Sequence, residues 1–174
     1  LREEEGQVSD HIFALLADNA LEQPRVWVHR DYHSRNLMVT DPDNPGVLDF
    51  QDAVVGAVTY DLVSLLRDCY IAWPRTQVEA WALAHRARLR ALGMAGLDDA
   101  DLFLRWFDLM GTQRHLKAIG IFARLNLRDG KPGYLRDIPR TLGYVLDVAD
   151  RYSELAGLRD LLRARGVDRW RPAP

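Results

Sequence analysis

Apolar residues in this chain change their spacing twice. Up to residue 21 they recur at helical intervals, with Ile12, Leu15, Leu16 and Leu21 on one face and Ser9 as an N-cap, so a helix of about three turns is predicted that Pro24 closes. The opening Leu1-Arg-Glu-Glu-Glu-Gly-Gln is too polar to bury and reads as the tail of a preceding segment. Between residues 26 and 48 the apolar positions contract into runs of two or three, which predicts short strands at 26–28, 37–39 and 47–48. The Asp-Pro-Asp-Asn-Pro-Gly turn between the second and third is short enough for a hairpin. From Thr59, a good N-cap, the helical period returns with Leu62, Leu65 and Leu66. A further helix follows over 76–92, ended by Gly93 to Gly96. Asp98 then caps a long apolar helix carrying Phe103, Trp106, Phe107 and Met110 and reaching about Leu125. Pro139 starts another helix ending near Ala156, and 158–165 make a short last one.

The strands matter for what they carry. Asp31, Asn36 and Asp49 fall on the loops that follow them, where side chains are firmly held yet reachable. Asp31 and Asn36 stand five apart in a His-Arg-Asp-x-x-x-x-Asn frame, the spacing by which a catalytic loop sets one carboxylate beside an acceptor hydroxyl and one amide oxygen on a metal. The predicted hairpin brings Asn36 and Asp49 to neighbouring positions. Phosphoryl transfer needs this donor set: little covalent help, much positioning, and a magnesium ion held by hard oxygens. Asp31 is therefore the candidate base, and Asn36 and Asp49 are the candidate magnesium ligands.

His29-x-Asp31-x-His33-x-x-Asn36, with Asp49 following, resembles the signature of the aminoglycoside phosphotransferase and choline kinase superfamily. Within it, the strings from His29 to Met38, from Asp49 to Gly56, from Thr59 to Tyr70 and from Gln113 to Leu125 are similar to bacterial anomeric sugar kinases of cell-wall recycling. Those enzymes act on N-acetylmuramate and N-acetylglucosamine. Ala57 departs from that group, which tends to have Pro there. The resemblance implies an α+β, mainly helical fold: the C-terminal large lobe of a protein-kinase-like enzyme, with residues 1–174 as a single domain. It also implies ATP and Mg2+ as cofactors and an amino sugar as acceptor, with an aminoglycoside or a choline-like alcohol as the alternative. Asp61, in the first turn of its helix, is expected to brace the catalytic loop.

Composition narrows the picture a little. A net charge of -2 and 48% hydrophobic residues suit one compact domain and give no reason to expect nucleic acid or a membrane as partner. Of 23 basic residues only Lys117 and Lys131 are lysines, and neither precedes the catalytic loop. No Gly-x-Gly-x-x-Gly occurs either, so the nucleotide-covering N-terminal lobe is expected upstream of Leu1. On that expectation this stretch alone is weak or inactive, or serves as a truncated, non-catalytic binding module. The single Cys69 excludes an internal disulfide and reads as a small core residue in a cytoplasmic protein.

Each candidate has a structural competitor. Asp and Asn favour turns on their own account. His29 reads as a buried imidazole bonding loop backbone, while His33 either shapes the loop or approaches the acceptor. Asp52, three residues beyond Asp49, reaches the metal or simply braces its loop. Gln113, Lys117 and Arg124 recur at spacings of four and seven on one side of the long helix. Such a strip suits contact with an acceptor sugar or its carboxylate, and equally an ion-paired interface between helices. Arg67 and Asp68 read as surface residues or mutual helix neighbours.

Overall fold

The computed structural model describes residues 3–169. These form a mainly helical chain with a few short strands, divided into two compact units: Asn19–Gly111, and Leu1–Asp18 together with Thr112–Pro174. Helices α1 (Glu3–Leu21) and α4 (Ala100–Asp129) contribute to both.

The unit Asn19–Gly111 is built round a two-stranded ribbon. Strand β1 (Arg25–Val28) pairs antiparallel with β4 (Val54–Ala57), from Arg25 opposite Ala57 to Val28 opposite Val54. Sequence periodicity does not predict β4, whose Val54 and Val55 are both exposed, so no alternation marks it. Gly56 is what lets the ribbon close: a Cβ there would lie 2.9 Å from Val28 Cγ2. A second, shorter pair, β2 (Leu37–Met38) and β3 (Gly46–Val47), forms the predicted hairpin, with Leu37 opposite Val47.

Helices α2 (Tyr60–Leu66), α3 (Arg75–Ala91) and the start of α4 supply the core of this unit. The buried residues recur as an amphipathic helix requires: Val78 and Ala82 on α3, and Phe103, Trp106, Phe107 and Met110 on α4, packed with Val63 and Leu97. A charge pair in this unit has its carboxylate buried and its guanidinium half-buried. Arg75 donates from Nη1 and Nη2 to both oxygens of Asp108 at 2.8 and 2.7 Å, and from Nε to Glu79. Burial opposes the guanidinium charge, but Asp108 and then Glu79 outweigh it and hold the Arg75 pKa above its ordinary value.

The other unit is helical. Helix α5 (Ile138–Arg151) buries Ile138, Leu142, Val145, Val148 and Ala149 on one face, and α6 (Ala156–Ala164) buries Leu158. Tyr134 stacks on Phe122, and Tyr144 on His115.

Several boundaries differ from those the sequence predicts. Helix α1 begins at Glu3, so Ser9 is not its cap but lies inside it, donating back to the Glu5 carbonyl at 2.9 Å. The acidic opening stretch is the helix's own first turn, where carboxylates suit the dipole. Asp99, not Asp98, caps α4: its Oδ1 accepts the backbone N–H groups of Asp101 and Leu102 at 2.8 and 3.0 Å. Asp98 instead pairs with Arg90. The helix predicted to run on to Ala156 breaks at Tyr152, whose extended backbone starts a 3-10 turn over Ser153–Leu155 before α6. Among the described residues no helix is long and apolar enough to cross a membrane.

Candidate active site

Strand β1 delivers the chain to His29, and the loop beyond it is clamped from two sides. On the first side stands Asp61 in the first turn of α2. Its Oδ2 accepts the His29 N–H at 2.6 Å and its Oδ1 accepts the Arg30 N–H at 3.0 Å. Arg30 has φ +79°, a left-handed conformation that costs a residue with a Cβ about 1–3 kcal/mol. Two hydrogen bonds to a carboxylate, each contributing roughly 1.5–3 kcal/mol, offset that strain. The result is a sharp corner that presents Asp31 at the exposed surface of the loop.

The second side was not anticipated. Asp68, 3% exposed, lies just beyond α2, and its Oδ2 accepts both the Ser34 N–H at 3.0 Å and the Ser34 hydroxyl at 2.6 Å. Its Oδ1 accepts the Tyr70 N–H at 2.9 Å. Arg67 and Asp68 are therefore buried, not the surface residues that their charge suggests. A carboxylate goes inside here because three donors surround it. Tyr70 completes the clamp, meeting the edge of the His33 ring and lying under the Arg35 guanidinium, 3.5 Å from the ring centroid.

Within the loop, Asp31 O accepts the His33 N–H and also the Asn36 side-chain amide, each at 3.0 Å. With Nδ2 turned to that carbonyl, Asn36 Oδ1 is the amide atom facing away from it. Asn36 O accepts the Leu48 N–H at 3.0 Å, continuing the hairpin ladder by one step. Asp49 comes next. It has φ +58°, a left-handed conformation that Asp tolerates better than most residues, and it opens the 3-10 turn Phe50–Asp52. His29 ties the two segments together, its Nε2 lying 2.7 Å from Leu48 O, which makes Nε2 the protonated nitrogen; Nδ1 is buried with no hydrogen-bond partner.

Asp31, Asn36 and Asp49 thus sit at the adjoining ends of the loop and the hairpin, with Asp31 and Asp49 exposed and Asn36 half-buried. Asp52 is exposed at the end of the following turn. His33 is half-buried with Nδ1 enclosed and unpartnered. Among the described residues no group of three or more His, Cys, Asp or Glu side chains gathers to hold a metal alone. Asn36 Oδ1 and the Asp49 carboxylate nevertheless fit magnesium, which keeps several waters and takes one or two protein oxygens together with phosphate oxygens. Gln113, half-buried, and Lys117 and Arg124, exposed, belong to the other unit.

The model of the phosphotransferase enzyme family matches residues 1–118, which include the whole of this loop and hairpin. The chain belongs to that family. The N-acetylmuramate/N-acetylglucosamine kinase of Pseudomonas putida is 53% identical over 148 residues, 85% of this chain and 43% of the relative. The protein of that name from Neisseria meningitidis is 53% identical over 142 residues, 82% of this chain and 42% of the relative. A third, from Caulobacter vibrioides, is 37% identical over 138 residues, 77% of this chain and 36% of the relative. The chain spans less than half the length of these relatives.

Proposed function

We propose that this chain is the large, catalytic-loop lobe of an ATP-dependent amino-sugar kinase with a protein-kinase-like fold. It transfers the γ-phosphate to the anomeric hydroxyl of N-acetylmuramate or N-acetylglucosamine in the cytoplasm. Asp31 orients the acceptor hydroxyl and takes its proton. Asn36 Oδ1 and Asp49 hold magnesium, which when bound neutralises charge on the phosphate oxygens. Asp61 and Asp68 hold the loop through hydrogen bonds so that Asp31 needs no reorganisation to act.

One observation carries this reading. The loop from His29 to Asn36 is held by carboxylates on both sides while Asp31 is left exposed, next to the hairpin end that bears Asp49. Relatives named N-acetylmuramate/N-acetylglucosamine kinase, 53% identical over 148 and 142 residues, point to the acceptor.

The test is a transfer assay with the chain carrying the upstream nucleotide-covering lobe that the reading requires. Labelled ATP and magnesium are offered with N-acetylmuramate, N-acetylglucosamine, choline and an aminoglycoside in parallel. Label on an acetylated amino sugar, as an acid-labile phosphate, is the expected result. Label on the aminoglycoside or choline alone overturns the acceptor, and no label on any acceptor overturns phosphoryl transfer.

A further inference from the structure

The Asp68 clamp forms one wall of a cavity of about 390 Å3, a volume in the range of small-molecule sites. Ser34 and Asp68 are its polar lining; the rest is apolar, including Leu37 from β2 and Ile71. Its outer wall is a pair of tryptophans. Trp73, on the segment between α2 and α3, meets Trp81 of α3 edge to face with ring centroids 5.4 Å apart. Both remain accessible, Trp73 at 42% and Trp81 at 37%, although each has a large apolar surface that burial would favour.

We infer that this cavity is the acceptor subsite, and that Trp73 and Trp81 receive the pyranose ring of the N-acetylated sugar. The inference rests on the kinase reading above and adds the residues that select its substrate. Position is the first reason. Ser34 is three residues from Asp31 in sequence and belongs both to the catalytic loop and to the cavity wall, so one loop carries the proposed base and a polar group of the cavity. Chemistry is the second. A pyranose has a face of C–H groups that covers an indole and an edge of hydroxyls that demands partners, and this wall offers both. The Ser34 hydroxyl already donates to Asp68, so toward a ligand it accepts, which suits a sugar hydroxyl or an acetamido N–H. The acetamido methyl then finds an apolar surface beside Ile71.

The experiment is an NMR titration of the 174-residue chain, observing tryptophan indole N–H signals as N-acetylglucosamine is added. Saturable shifts at Trp73 and Trp81 are expected. Trp106, buried and donating to Glu22, should stay still. Trp73→Ala should weaken binding at least about tenfold, and Trp73→Phe, which keeps a ring face, should restore most of it. Glucose, which lacks the acetamido group, should bind about ten- to two-hundred-fold more weakly. Unmoved Trp73 and Trp81 signals, or Trp73→Ala binding equal to that of the parent, overturn the subsite. The transfer assay reads the other question: label on an amino sugar with unmoved indoles overturns the subsite alone. Moved indoles with no label on any acceptor overturn phosphoryl transfer and leave the subsite standing.

Discussion

Four aspartates surround the loop from His29 to Asn36, and they divide into two pairs. Asp31 and Asp49 stand exposed at the ends of the loop and the hairpin. Asp61 and Asp68, from α2 and the segment after it, are spent on backbone N–H groups on either side of the loop. The difference is one of commitment. A carboxylate that already accepts two or three hydrogen bonds fixes geometry, whereas an exposed one is available to a metal or a substrate proton. Substitutions in the two pairs should therefore separate activity from stability.

The largest separation is expected at Asp31. Asp31→Asn keeps the size of the side chain and removes the proposed base, so kcat should fall by about 10²–10⁴-fold. Thermal unfolding should be nearly unchanged, because the contacts that hold the loop at this residue use its backbone. A variant retaining full kcat would remove Asp31 from the chemistry.

Asp68→Ala should do the reverse. It leaves the Ser34 N–H, the Ser34 hydroxyl and the Tyr70 N–H unpaired in a buried place, at a cost of about 3 kcal/mol. In a chain of this size that lowers Tm by roughly 6–12 °C. Asp68→Asn, which keeps one acceptor oxygen, should recover part of the loss. Equal melting of Asp68→Ala and the parent protein would show that the clamp is not what holds this side of the loop.

The same contrast separates what local sequence encodes from what only tertiary approach supplies. The loop placement of the proposed residues Asp31, Asn36 and Asp49 was legible from their spacing between short apolar runs, and the hairpin because the turn residues announce it. Asp68 was not legible. An Asp after a helix is solvent-exposed far more often than buried, and only the tertiary approach of Ser34, 34 residues earlier, supplies its donors. Strand β4 escaped for a related reason: it has no alternation of its own and exists through pairing with β1. Helix boundaries shifted where side chains found other work. Thr59 sits at the predicted start of α2 but makes no side-chain cap. Its hydroxyl donates instead to Gln23 at 2.7 Å, a bond between residues 36 apart that no local pattern encodes.

A smaller effect is expected at Arg30. Its left-handed backbone is tolerated because Asp61 accepts its N–H, so Arg30→Gly should remove the strain while keeping the bond. The greater freedom of glycine in the unfolded chain offsets part of the gain, leaving a net stabilisation of about 0.5 kcal/mol. A higher urea midpoint with an unchanged slope is the expected reading; a lower midpoint would mean that the guanidinium contributes more than the corner costs.

The smallest effect should appear with pH, and on only one side of the loop. His85 of α3 lines a cavity of about 440 Å3 together with Tyr32 and Asp61, behind the first clamp. Burial, and then the charge of Arg88, hold its pKa below the ordinary imidazole value of 6.5. Because the folded-state value is depressed, the unfolded chain binds the proton more readily. Stability is therefore full above the unfolded value of about 6.5, falls as pH drops through the window between the two values, and stays reduced below the folded one. The Asp61 side faces this change and the Asp68 side does not share the cavity. Amide exchange at His29 and Arg30, corrected for its intrinsic pH dependence, should accelerate from pH 7 to 5.5 more than at Ser34 and Tyr70. His85→Phe should abolish that difference. Equal acceleration at all four amides would mean that the two clamps open as one unit, and that the loop is held by a single cooperative structure, not by two separable carboxylates.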